Sequence, residues 1–172
     1  TELESIYIRG NFAVKDDELK TENDMIMLSE GGYYIAKPKT TVNAANFTKD
    51  GYLFFMGKMK IEKNLVIKDG ASALKFTGRF TAIDVYVDGK FVKTAMFDHY
   101  ADLSAFADGK EHTVTLVVYG SNRNIYGPHH FKNEYEPLSV SPWTFDLTGA
   151  WKDNYESDFY RENYSFVKFS II

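Results

Sequence analysis

The stretch that decides the fold class of this chain is A-I-D-V-Y-V-D-G-K-F-V, residues 82–92. Ile83, Val85 and Val87 are apolar and alternate with polar or aromatic residues, which is typical of a strand with one buried face. Asp88-Gly89 comes directly after them, and Asp-Gly pairs readily accept the positive φ angles of tight turns. The stretch therefore predicts two antiparallel strands joined by a hairpin turn.

Other segments show the same alternation. Apolar residues occupy every second position from Met59 to Ile67, interrupted only by Lys63, and again from Val114 to Val118. Helical signals are sparse: Asp102 is placed to cap one short turn, and no long segment keeps a period of 3.6. Several short strands separated by turn signals predict an all-β fold, an antiparallel β-sandwich or barrel.

Asp-Gly pairs punctuate the middle of the chain at nearly even spacing. The residues between successive pairs do not resemble one another, so the spacing indicates a rhythm of hairpin turns rather than an internal repeat. The pairs are Asp50-Gly51, Asp69-Gly70, Asp88-Gly89 and Asp108-Gly109.

Composition limits the domain count and the partners. A chain of 172 residues that is 44% hydrophobic can bury one substantial core, so residues 1–172 are predicted to form a single domain. The formal net charge of −4 provides no basic field for a phosphate backbone, and nucleic acid is not an expected partner.

The sequence also excludes several kinds of site. Without cysteine, disulfides and thiolate metal sites are excluded. No apolar run approaches the roughly 20 residues of a membrane helix, so no membrane partner is expected.

The residue pattern changes near Gly120. Three X-Pro pairs interrupt a polar and aromatic segment, and alternation returns only at residues 164–169. Because proline cannot donate to a strand ladder, this segment is predicted to wrap over the sandwich as a long loop, about residues 120–163, followed by a final strand. Long ordered loops often carry function.

Residues 74–76, 82–92, 102–104 and 108–118 resemble, in this order, the sugar-binding jelly-roll domain of glycoside hydrolase family 2. That family has a strand, a V-N-G-like hairpin, a D-I-T-like turn and a G-x-N-x-L-x-V strand; here Asp88 replaces the Asn, and Glu111-His112 occupies the G-x-N position. The upstream residues 51–59 look like the family's strand entering the sheet from an aromatic-rich turn. The later segments S-N-R-N-I-Y-G-P-H-H, S-P-W-T-F and F-V-K-F are similar to C-terminal domains of bacterial glycosidases; they are residues 121–130, 141–145 and 166–169.

This resemblance implies a galactose-binding-like antiparallel jelly-roll that serves as a non-catalytic carbohydrate-binding or accessory domain of a bacterial glycoside hydrolase. The family's catalytic glutamates reside on a separate barrel of roughly 250 residues, which this chain is too short to contain. Carbohydrate and the neighbouring catalytic domain are the implied partners, and no cofactor is expected. The compartment stays open, with an extracellular, cell-surface or periplasmic location favoured over the cytoplasm. The first alternative is a purely structural domain that buttresses a catalytic barrel and binds no sugar.

Candidate binding residues lie in the loop. Arg123 and Asn124 offer fixed hydrogen-bonding directions to sugar hydroxyls, although they suit bracing of the loop equally well. Tyr126, Trp143 and Trp151 are candidate platforms for the apolar face of a pyranose. The alternative for Trp143 is that it plugs the open end of the sandwich together with a neighbouring phenylalanine.

His129 and His130 are the remaining candidates. Adjacent side chains on extended backbone point to opposite faces, so the pair does not readily chelate one ion, and no metal site is predicted. One imidazole is expected to brace the loop through a backbone carbonyl, while the other faces solvent or ligand.

Carboxylates are abundant in the same segment, and this keeps a small stand-alone glycosidase as a second alternative. Glycoside hydrolysis needs two carboxyl groups placed across one bond. Solvated surface charge is the preferred interpretation, and no catalytic residue is assigned. The carboxylates are Glu134, Glu136, Asp146, Asp153, Glu156, Asp158 and Glu162.

Overall fold

The protein is an all-β antiparallel sandwich, as the alternation predicted. The computed structural model describes residues 8–70, 73–76, 80–127, 129–130, 132 and 161–171. Within them the strands are β1 (Ala13–Lys15), β2 (Lys20–Thr21), β3 (Ile26–Ser29), β4 (Tyr34–Ala36), β5 (Lys58–Val66), β6 (Ala73–Lys75), β7 (Ala82–Val87), β8 (Lys90–Ala95), β9 (Tyr100–Asp102), β10 (Glu111–Tyr119) and β11 (Tyr164–Val167).

The largest sheet has four strands in the order β5-β10-β7-β8. Its register places Leu116 opposite Ile61 on one side and opposite Val85 on the other, and Val118 lies between Met59 and Ile83 in the same way. Because side chains alternate along a strand, these apolar positions all face one side of the sheet. The alternation read from the sequence is therefore the inner face of this sheet.

The hairpin between β7 and β8 turns at Asp88-Gly89, as predicted. Asp88 has a φ of 49° and Gly89 a φ of 76°, and two successive positive φ angles match the right-handed twist of the flanking strands. The register shifts between Val85 and Tyr86, so the pairing of β7 with β8 contains a bulge. The turn thus aligns β7 with β8, and the bulge changes which β8 side chains face away from the core.

The other three Asp-Gly pairs are not hairpin tips, which corrects the predicted hairpin rhythm. Asp50-Gly51 ends a short 3₁₀ turn, Thr48–Asp50, and Gly51 has a φ of 106°. Asp69-Gly70 comes after β5 and Asp108-Gly109 precedes β10, yet β5 pairs with β10 and not with β6. These turns therefore connect strands that are not hydrogen-bonded to each other.

The main core lies between the inner face of the four-stranded sheet and the segments that cover it. The covering residues include Phe47, Phe76, Ala101, Leu103 and Phe169. Val85 and Val118 are fully buried against them. These opposed apolar layers make the fold a sandwich.

Smaller sheets complete the described part of the chain. β11, β3 and β2 form a three-stranded sheet, β1 pairs with β4, and β6 pairs with β9. A second apolar cluster of Leu19, Met27, Leu53 and Phe166 lies beside the three-stranded sheet, with Tyr33, Phe54 and Tyr164 packed against it. The final strand predicted from residues 164–169 thus exists as β11, and it ends at Val167.

The short turn predicted after Asp102 is present as a 3₁₀ turn, Ser104–Phe106. Asp102 Oδ1 accepts a hydrogen bond from the Ser104 backbone N–H at 2.9 Å. No helix in the described residues has the length and apolar character needed to cross a membrane.

Candidate functional site

The segment that carries most of the candidate binding residues begins with a single helical turn. Arg123–Tyr126 forms α1, and the helix ends at Gly127, whose φ of 82° is accessible to glycine without strain. The turn packs against β11, so its four side chains are presented from a fixed backbone. Sequence analysis placed these residues in a loop, because one turn is too short to show a helical period.

Asn124 is a buried bracing residue. Its Nδ2 donates to the backbone oxygens of Leu53 at 3.0 Å and Val167 at 2.9 Å, and its Oδ1 accepts from the Val167 N–H at 2.7 Å. The side chain is fully buried. The Asn124 amide therefore takes the place of a neighbouring strand: it hydrogen-bonds the backbone of β11 and the backbone at Leu53. This is the bracing role that the sequence left open.

Arg123 also binds β11. Its Nη1 donates to the Ser165 backbone oxygen at 3.2 Å and its Nη2 donates to Ser165 Oγ at 3.0 Å. Ser165 is fully buried. Two bonds from one planar guanidinium to one residue hold the side chain in a single orientation.

The two histidines lie against β11 and the residues that precede it. The ring nitrogens of His129 are both 3.3 Å from backbone oxygens, those of Ser165 and Ile125, and its ring is 5.2 Å from that of Phe166. The His129 side chain thus joins α1 to β11.

His130 Nδ1 lies 3.1 Å from the Glu162 oxygen and 3.3 Å from the Arg161 oxygen. Its ring centre is 4.6 Å from that of Tyr164, and burial lowers the pKa of this imidazole. Both imidazoles, and not only one, therefore lie against backbone carbonyls. The part of the chain that the structure describes contains no group of three or more His, Asp or Glu side chains placed to hold a metal.

Tyr126 is the exposed residue of α1. Tyr126 is 75% exposed, although Arg123 and Asn124 in the same turn are hydrogen-bonded to β11. The result is an aromatic ring on a rigid support, in contact with solvent. Trp143 and Trp151 lie outside the described residues, as do six of the seven candidate carboxylates; Glu162 is described and exposed.

An electrostatic cluster that sequence analysis did not single out lies at one end of the large sheet. His112 Nδ1 is 2.7 Å from Asp88 Oδ2, and its Nε2 is 2.9 Å from Asp108 Oδ1. The hydrogen bonds to Asp88 and then to Asp108 raise the pKa of His112, and the His112 contact is the main cause that lowers the pKa of Asp108 to about 2. The cluster ties two turns together. Its only sequence signal is that both aspartates begin Asp-Gly pairs.

The sequence also did not single out the polar face of the large sheet as a site, because polar residues that alternate with apolar ones are interpreted as solvent-exposed. Lys60, Glu62, Tyr86, Thr113 and Thr115 line a shallow cavity of about 460 Å³ on that face. Tyr86 within an otherwise polar series is the one sequence feature that points to it.

No family model and no curated protein matches the chain. Among solved structures, the chain is similar to a β-D-glucuronidase from Dictyoglomus thermophilum, at 19% identity and a TM-score of 0.34, with 66% of this chain and 20% of the enzyme covered. It is also similar to the β-glucuronidase of Lactobacillus rhamnosus, at 15% identity and a TM-score of 0.35, with 67% and 22% covered. The chain thus spans about a fifth of the length of these enzymes.

Proposed function

We propose that the chain is a non-catalytic carbohydrate-binding domain of a glycoside hydrolase, and that it binds sugar on the surface formed by α1. The observation that carries the proposal is the ring of Tyr126, which is 75% exposed on a turn that buried Asn124 ties to Leu53 and Val167. The sandwich fold and the family resemblance of residues 74–118 support the same assignment.

The chemistry of this surface suits a sugar. A pyranose presents an apolar face of C–H groups, and an aromatic ring held in place can stack on that face with little loss of conformational freedom. Because Arg123 and Asn124 already bond backbone atoms, their role in this proposal is to position Tyr126. Trp143 and Trp151 remain proposed as further platforms.

Affinity for a monosaccharide should be weak. Hydrogen bonds at an exposed surface largely exchange with bonds to water, so their net contribution is small. One stacked ring and a few polar contacts must also offset the loss of translational and rotational freedom on binding. Longer oligosaccharides are therefore expected to bind more tightly than single sugars.

A glycan array followed by titration calorimetry tests the proposal. Wild-type protein should bind at least one oligosaccharide, and Tyr126→Ala should weaken that binding about tenfold, equivalent to about 1.4 kcal/mol. Phe97→Ala is the matched control, since Phe97 is an aromatic residue with 95% exposure on another part of the surface. No heat with any sugar, or equal losses in the two variants, contradicts the proposal.

A second candidate function is a structural domain that packs on a neighbouring catalytic domain. Met96, Phe97 and Tyr100 are exposed apolar residues at or near the connection between β8 and β9, and clustered exposed apolar surface often marks a contact. Phe97→Asp tests this candidate in the parent enzyme. The variant should lower the thermal stability of the whole enzyme while the isolated chain keeps its own, and an unchanged parent enzyme rejects the candidate.

A further inference from the structure

The outer face of the four-stranded sheet brings a regular set of side chains together. Register places Glu62, Thr115 and Tyr86 side by side across β5, β10 and β7. The neighbouring row, two residues along each strand, consists of Lys60, Val117 and Asp84. Side chains two apart share a face, so both rows lie opposite the core.

The polar groups of these rows are held in defined positions. Glu62 Oε1 accepts a hydrogen bond from Thr115 Oγ1 at 3.1 Å and lies 2.8 Å from Lys60 Nζ. In the next row, Asp84 accepts from Thr94 Oγ1 at 2.6 Å and from the Tyr119 hydroxyl at 2.7 Å. Each carboxylate is thus oriented by neighbours within the sheet, while the Glu62 side chain stays half-exposed and accessible to a ligand.

An aromatic ring is fixed beside these groups. Tyr86 is half-buried, and its ring meets that of Phe91 edge to face, with centres 5.5 Å apart and planes inclined by 67°. Phe91 itself is 53% exposed. The register shift between β7 and β8 places Phe91 directly opposite Tyr86, so the apolar part of the face is built by the strand irregularity.

Part of this face is a cavity of about 460 Å³. Its lining consists of Lys60, Glu62, Tyr86, Asp88, Gly89, Thr113, Thr115 and Val117. This volume falls in the range of small-molecule pockets, roughly 300 to 1,000 Å³. The cavity is open along the sheet, and therefore suits an extended ligand better than a compact one.

The charges of the face select the class of ligand. Lys60 and Glu62 neutralise each other, and Asp88 pairs with His112. The Asp84 carboxylate accepts hydrogen bonds from the hydroxyls of Thr94 and Tyr119 within the protein. A polyanion finds no net positive field there. A fully apolar ligand would leave these polar groups desolvated without partners.

We infer that this face is a second binding surface, for a neutral oligosaccharide. The ring of Tyr86 receives the apolar face of one sugar unit, while Glu62 and Lys60 exchange hydrogen bonds with its hydroxyls. Buried Thr115 orients Glu62 for this contact. The inference shares with the proposed function the class of ligand, but it involves none of the residues around α1.

A nuclear magnetic resonance titration of the ¹⁵N-labelled chain tests the inference, with hexasaccharides of β-linked glucose, mannose and xylose as probes. Backbone amides of Glu62, Tyr86 and Thr115 should shift with at least one probe. Tyr86→Ala should weaken this binding at least about tenfold, and Glu62→Gln about threefold. The Glu62 variant keeps the test decisive if loss of the Tyr86 ring unfolds the sheet.

Two controls separate this site from the one proposed at α1. Glu30→Gln alters another exposed Lys–Glu pair, with Lys20 at 3.4 Å, and should leave the titration unchanged. Tyr126→Ala should leave the shifts of the sheet face intact. Shifts confined to residues around Tyr126 overturn the inference and leave the proposed function standing. Absence of shifts with all three probes also overturns the inference, whereas the proposed function at α1 is decided separately by the glycan array.

Discussion

His112 Nδ1 lies 2.7 Å from Oδ2 of Asp88, and this pair joins the start of β10 to the turn of the neighbouring hairpin. Asp88 also accepts a hydrogen bond from the Thr113 backbone N–H at 2.9 Å. On its other side the same imidazole reaches Asp108. One histidine therefore couples two Asp-Gly turns, and its charge state should affect the stability of this end of the sheet.

Stability should pass through a maximum between about pH 4 and pH 6.5. The pKa of His112 is raised above its ordinary 6.5, so its contribution is complete below pH 6.5 and is lost as pH rises through the raised value. The pKa of Asp108 is lowered from 3.8 to about 2, so its contribution is complete above pH 3.8 and is lost as pH falls toward 2. Urea denaturation across this pH range measures the profile.

His112→Gln should remove the decline of stability on the alkaline side, because an uncharged amide cannot titrate there. His99→Gln is the control, since it removes an exposed histidine and leaves the contacts of His112 with both aspartates intact, so the alkaline decline should persist. A His112→Gln profile that matches the wild type would contradict the coupling.

Asn124→Ala should lower the free energy of unfolding by about 3 kcal/mol. The substitution leaves two buried carbonyls and one buried N–H without their partner, and each orphaned group costs roughly 1 to 3 kcal/mol before relaxation. Asn11→Ala, at an exposed asparagine, should change stability by less than about 0.5 kcal/mol. Denaturant titration of both variants decides whether Asn124 is the brace that its contacts indicate.

Gly51→Ala should destabilise the protein more than Gly57→Ala. Both glycines have φ angles near 100°, so both variants carry backbone strain of about 1 kcal/mol. A Cβ at Gly51 would lie 2.5 Å from Ala13 Cβ, whereas one at Gly57 would meet nothing within 4 Å. The difference between their unfolding free energies should exceed about 1 kcal/mol. Equal losses would show that strain alone matters.

Arg123→Ala and Tyr126→Ala should separate bracing from binding. Loss of the two bonds to Ser165 should cost about 1 to 2 kcal/mol of stability, because Ser165 is buried. Removal of the exposed Tyr126 ring should change stability by less than about 0.5 kcal/mol. Thermal melting of each variant, read beside its sugar titration, shows whether any loss of binding results from unfolding.

The positions of β5, β7, β10 and β11 were predictable, because a strand that is buried on one side shows alternating apolar residues in its own sequence. The short strands β1 to β4 show no such alternation and were not predicted. The alternation of Ile83, Val85 and Val87 identified β7, and Asp88-Gly89 identified its turn. Which strands pair was not predictable, because β10 lies beside β5 and more than fifty residues separate Leu116 from Ile61. The turn at Asp50-Gly51 was misread for the same reason: an Asp-Gly pair indicates positive φ but does not specify the pairing of the flanking segments.

In the candidate site, too, the sequence identified residues but not their contacts. Sequence analysis selected Arg123 and Asn124 but left bracing and binding open, because the deciding atoms belong to Leu53, Ser165 and Val167. The exposure of Tyr126 was equally beyond the sequence, since it depends on which residues pack around α1.

By itself the sequence determined an all-β chain with one apolar face per strand, because period-two alternation and positive-φ turns are properties of neighbouring residues. Only the tertiary structure decided that Asn124 joins two distant backbone segments, that His112 holds two turns, and that Glu62, Thr115 and Tyr86 stand in one row. Those relationships depend on strand pairing and on the packing of α1 against β11, which bring together residues that are far apart in the sequence.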